Sequence, residues 1–187
     1  MQLTGVLSIG LLIAIAFLDL DLKGKVLNSS LIKKTRTLIY SWLVVTFIYI
    51  LIQIAYLLQQ PIPSSIDLTV VRSYLTQTSI GKSYLVQIFG VLTLLAIPLR
   101  RVITTYFALL IGLISIVAPL FQSHGSSSGR HGLAIGALVV HVIALTFWVG
   151  GLFGLTQLSK EQKLLSLPRF SELALWSAIT VAITGAA

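Results

Sequence analysis

Six runs of apolar residues, 2–19, 38–58, 83–99, 102–121, 132–155 and 171–187, divide this chain. A helix needs about 20 predominantly apolar residues to cross the hydrocarbon core of a bilayer. Inside lipid every backbone polar group must be satisfied within the segment, so runs of this length read as helices. The runs predict an all-α fold, a polytopic transmembrane helix bundle of about six spans forming a single membrane domain over 1–187. Composition agrees: 10% of residues are charged and 56% hydrophobic, against about 25% charged in soluble domains. The first run, "LTGVLSIGLLIAIAFL", has neither a basic leader nor a small-residue cleavage site and reads as a span rather than a signal peptide. The last run is slightly short and still apolar at "VAITGAA", which leads us to expect a longer protein.

The cations lie between the runs. Lys23, Lys25, Lys33, Lys34 and Arg36 follow the first run, Arg100 and Arg101 the third, and Lys160, Lys163 and Arg169 the fifth; only Arg72, Lys82 and Arg130 lie on the other side. Cytoplasmic loops are enriched in lysine and arginine, so this alternation puts the N-terminus outside and makes the chain a multi-pass protein of the plasma (inner) membrane. The formal net charge of +8 then serves contact with an anionic lipid bilayer rather than with nucleic acid.

Residue usage narrows the chemistry. The chain has no cysteine and its single methionine is Met1, so disulfides, thiolate metal sites and a sulfur cradle for Cu(I) are excluded. Histidine is the remaining good transition-metal ligand. Asp19 and Asp21 lie at the cytoplasmic end of the first span, Asp67 caps a short helix, Glu161 lies in a loop, and Glu172 is spaced to pair with Arg169. With no carboxylate dyad, no Ser–His–Asp set and no H-E-x-x-H, the chain does not read as an enzyme.

The outer segment 59–82 opens with "QQPIPSS", where prolines end a helix, and continues as "SSIDLTVVRSYL", with Ile66, Val70 and Tyr74 on one helical face. A short helix on the membrane surface is expected there, with a plain connector as the alternative. "IGKS" at 80–83 lacks the upstream glycine of a P-loop, and "NSS" at 28–30 falls on the cytoplasmic side.

All three histidines fall within "SHGSSSGRHGLAIGALVVHVIALTFWVGG". Gly132 with Gly136, and Gly150 with Gly154, have the spacing that lets neighbouring helices approach closely. His141 lies near the middle of the fifth span, where an imidazole needs a partner and marks a functional candidate; a hydrogen-bonded packing histidine is the alternative. Trp148, seven residues on, shares its face on an ideal helix and reads as packing. His124 and His131 flank "GSSSGR" at the outer surface, where they could meet at one cation or stand as two solvated loop residues. His131 and His141 are ten residues apart, about 15 Å along a helix, too far to share one metal.

On these residues the chain resembles the copper resistance D (CopD) family of bacterial inner-membrane proteins. The matching features are His124 in "SHG", then His131, then "HVIALTFWVGG" from His141 to Gly151, and "RFSELALWSAITVAITGAA" with its Thr184–Gly185 pair. The specific part lies at about 120–155, with the best match over 120–187. The upstream stretch "IGKSYLVQIFGVLTLLAI" resembles the actinobacterial form fused to a cytochrome c oxidase assembly (CtaG-like) domain. The family's first shared span often begins with a histidine beside an acid; here it begins "MQLTGVL".

The resemblance implies copper as cargo, as Cu(II) or Cu(I), bound at the outer face by His124 and His131, with His141 as a station further in. It implies movement across the membrane or to a partner, either an extracytoplasmic copper chaperone or a CtaG-like domain. Two other readings stay open. One is a b-type haem electron carrier, for which His141 could supply an axial ligand; the other is a structural or assembly module for a respiratory oxidase.

Overall fold

The computed structural model describes residues 2–18, 29–62, 67–99, 101–122 and 131–185. Among them every regular element is helical. Helix α1 (Gln2–Ile13) runs on into a π-helical turn, Ala14–Leu18. It is apolar on all sides, and a helix of that kind belongs in an interior. Ile9, Leu11, Leu12, Ile13, Ala14 and Ile15 are fully buried, and the other helices pack around them.

Helix α2 (Ser29–Leu58) extends for 30 residues, a rise of about 45 Å. Its buried residues include Leu31, Thr35, Ile39, Trp42, Thr46, Ile50 and Ile54, a helical spacing that makes one stripe toward the interior of the bundle. Tyr40, Val44, Phe47, Ile48 and Ile52 point outward. An apolar outer face suits lipid and not water. The buried hydroxyls satisfy themselves locally: Thr35 donates to Leu31 O and Thr46 to Trp42 O, each at 2.8 Å. The helix ends at Gln59, whose φ of 53° is left-handed, with Gln60 N donating back to Ala55 O.

The short outer helix is present as α3 (Leu68–Gln77). Asp67 caps it, its Oδ1 accepting from Thr69 N at 2.7 Å. Tyr74 is buried, and Val70, Val71 and Leu75 pack on the same core, so the expected apolar face is used against protein. Thr78 then ends α3 and caps α4 (Ser79–Ala96), donating to Tyr74 O and accepting from Gly81 N. A Cβ at Gly81 would lie 2.0 Å from Tyr74 O. The glycine of "IGKS" is therefore explained by a tight corner. Helix α4 stops at Ile97, held extended by Pro98.

Helix α5 (Val102–Val117) passes into a 3-10 turn, Ala118–Gln122. Helix α6 (His131–Leu145), a second π turn (Thr146–Gly150) and α7 (Gly151–Thr156) together make the histidine-bearing span. Helix α8 (Lys160–Gly185) begins well before the expected sixth span. Ser159 and Gln162 form a reciprocal capping box, each side chain accepting from the other's backbone N–H. Lys160, Lys163 and Arg169 thus ride on a helix and not in a loop.

Among the described residues four helical segments are long and apolar enough to cross a membrane: Ser29–Leu58, Ser79–Ala96, Ile103–Phe121 and Ala134–Thr156. Gln2–Leu18 is apolar but shorter. The run 171–187 forms the second part of α8, as far as the described residues extend.

Candidate metal centre

His141 sits half-buried on α6, facing α8, the helix on which α6 packs most extensively. Its Nδ1 lies 3.1 Å from Thr184 Oγ1. The threonine hydroxyl has one proton, directed to the carbonyl of Thr180 at 2.7 Å. With the proton so directed, Thr184 Oγ1 accepts from the imidazole in the tautomer that carries its proton on Nδ1. That tautomer leaves the Nε2 lone pair free. Metal-ligating histidines are held in the same way, with the second ring nitrogen donating to a fixed oxygen. Gly185 completes the contact: a Cβ there would lie 3.4 Å from His141 Cε1, ordinary packing distance. The Thr184–Gly185 pair thus meets the histidine it follows by some forty residues of chain.

The histidines expected at the outer surface are less fully placed. His131 is the first residue of α6, but its side chain lies outside the described residues, as does the whole of His124. Among the described residues no three His, Cys, Asp or Glu side chains gather as a metal group. His141 is the one metal-ligand candidate whose surroundings are defined, and Thr184 is its positioning partner.

Trp148 departs from the expected register. It falls within the π turn Thr146–Gly150, whose extra residue breaks the two-turn phase that would place it above His141. It is 38% exposed, an outward-facing ring.

Other polar features were not legible beforehand. Two side chains from other helices donate to carbonyls of the π turn that follows α1: Tyr106 OH to Ala16 O at 3.2 Å, and Ser166 Oγ to Leu18 O. Beside this turn lies a cavity of about 470 Å³ lined by Tyr106, Arg169, Glu172 and Trp176. Arg169 and Glu172 share that lining without forming the expected ion pair; both are exposed, where such pairs contribute little. Between α2 and α4, fully buried Gln87 donates to Thr46 Oγ1 at 3.1 Å. Its Oε1 and the indole nitrogen of Trp42 are buried with no hydrogen-bond partner among the described residues.

The paired glycines divide. A Cβ at Gly154 would lie 2.3 Å from the Gly10 carbonyl oxygen, and one at Gly10 would lie 2.1 Å from that of Gly150. This is the close helix approach their spacing predicts. Gly136 meets nothing within 4 Å among the described residues, and the surroundings of its partner Gly132 lie outside them.

Comparison with known proteins places these elements in a family. Searches of curated proteins and of solved structures return no match. The family model described as copper resistance protein D-like, N-terminal domain, matches residues 1–133. The match covers α1 to α5 and the start of α6; the histidine-bearing pattern from His141 onward lies beyond it. Apolar helices of spanning length and a family match over most of the sequence agree, and the chain belongs to the copper resistance protein D-like family of membrane proteins.

Proposed function

We propose that this chain handles copper in the plasma membrane, binding the ion at its outer face and moving it inward or to a partner. Membership of a copper resistance family supports copper as the cargo. The observation that carries the proposal is the His141–Thr184 contact. It holds an imidazole within a span of apolar residues, and the Nδ1–H tautomer would present Nε2 as a ligand. A bare cation entering hydrocarbon faces a prohibitive desolvation cost, so a ligand at depth is what a copper route requires. Imidazole nitrogen suits copper, and the Irving–Williams order favours it over other divalent first-row ions.

On this reading His124 and His131 receive the ion outside, and His141 takes it about 15 Å further along α6. The N-terminus lies outside, following the distribution of lysine and arginine. The chain carries a cargo and is not an enzyme; an extracytoplasmic copper chaperone or a CtaG-like assembly domain is the corresponding partner.

Copper titration of the purified protein, with uptake by cells expressing each variant, tests the route. His124→Ala/His131→Ala should lose outer binding. His141→Ala should keep that binding and lose uptake. Wild-type affinity and uptake in the double variant would refute the route, and a Soret band from the purified protein would favour the haem carrier.

A further inference from the structure

Where α2 begins, a cavity of about 410 Å³ opens between that helix, α1 and the turn joining α7 to α8. Its polar wall is made by Lys33, Lys34, Thr37 and Gln157. Its floor includes Leu11, which is fully buried in α1, with Leu38 and Phe153, both packed on the core at that end of the bundle. Among the described residues no acidic side chain lines it. Lys34 Nζ donates to Gln157 Oε1 at 3.2 Å, a neutral acceptor that positions the ammonium without cancelling its charge. Two adjacent cations over an apolar floor form a surface complementary to an anion with an apolar body.

We propose that this cavity binds the phosphate headgroup of an anionic diacyl phospholipid. The two lysine ammonium groups face the phosphate, and the first carbons of an acyl chain lie on Leu38 and Phe153. The occupant is a lipid rather than a free anion because the floor is apolar and the cavity flanks a helix of spanning length. Basic pockets between membrane helices recognise headgroups in this way. The long lysine stems also let the charge sit at headgroup level while the methylenes stay on apolar surface. A bound lipid would tie α2 to the α7–α8 turn, two parts of the chain that Lys34 and Gln157 join in this cavity.

The test uses the full chain in phosphatidylcholine vesicles with trace spin-labelled phosphatidylglycerol or spin-labelled phosphatidylcholine, comparing the motionally restricted fraction of each label. Wild type should prefer phosphatidylglycerol. Lys33→Gln and Lys34→Gln should each weaken that preference roughly fivefold. Lys160→Gln/Lys163→Gln, which removes nearby charge outside the cavity, should leave it unchanged. Equal restriction of both labels by wild type would overturn the proposal, as would an equal loss in the Lys160/Lys163 pair, the mark of diffuse surface charge. Displacement of the label by millimolar inorganic phosphate would overturn it in favour of a free-anion site.

Discussion

Gly10 of α1 and Gly154 of α7 meet backbone to backbone, so closely that a Cβ on Gly154 would stand 2.3 Å from the Gly10 carbonyl oxygen and 2.9 Å from the Ala14 methyl. Neither neighbour is a flexible side chain that could turn away. Gly154→Val should therefore push α7 off the central helix and destabilise the bundle by about 1–3 kcal/mol, the usual cost of overpacking. Gly136→Ala, at a position with nothing within 4 Å, should be neutral or stabilising, since alanine is the better helix former. Thermal denaturation in detergent, followed by size-exclusion chromatography, compares the two. Equal loss in both would refute the distinction.

Thr184→Val removes the acceptor that holds Nδ1–H of His141 while keeping side-chain volume. Copper uptake should fall roughly 10-fold or more, the scale on which supporting hydrogen bonds to ligating histidines act. Thr184→Ser should retain it. The ¹⁵N shifts of labelled histidine report the tautomer directly: the Nδ1–H form in wild type and Thr184→Ser, a mixture in Thr184→Val.

The buried pair Gln87 and Thr46 should respond asymmetrically. Thr46→Val leaves the Gln87 amide with neither end paired, at a cost of about 1–3 kcal/mol. Adding Gln87→Leu removes the stranded amide and should recover most of that loss. A double-mutant cycle read by thermal unfolding measures the coupling; additive losses would show that Gln87 is satisfied elsewhere.

The lack of cysteine makes the topology directly testable. Single cysteines replacing Ser30 or Lys163 should resist a membrane-impermeant maleimide applied from outside, and those replacing Arg72 or Ser127 should react. Outside labelling at Ser30 would invert the orientation read from the basic residues.

The spans were legible because apolar length is a property of the sequence alone: α4 and α5 fall close to the runs 83–99 and 102–121. Helix α2 contains the run 38–58 but starts at Ser29, so that Lys33, Lys34 and Arg36 ride on a helix and not in a loop. The short outer helix was legible through its apolar face and Asp67. The early start of α8 was written in Ser159 and Gln162, but the capping box is a local signal beside a conspicuous lysine cluster. His141 stood out as an imidazole in an apolar run. Its partner did not, because Thr184 is one of many hydroxyls able to bond their own helix, and only packing of α6 on α8 selects it. Gln87 gave no signal for the same reason. The π turn that moves Trp148 out of phase follows from how α1 meets the span at Gly10 and Gly150, a tertiary matter.

That π turn at Thr146–Gly150 has a bearing on changes in chain length. A widened turn absorbs one residue beyond what an ordinary helix needs, so the parts before and after it keep separate angular settings: His141 toward α8, Gly154 toward α1. Losing one residue within 146–150 would let the turn close into regular α-helix while both settings persist. Losing one at 142–145 would instead swing the imidazole by about 100° relative to the glycines. The span can be shortened at one place without losing its aim, and that place lies between the metal-ligand candidate and the glycine crossing.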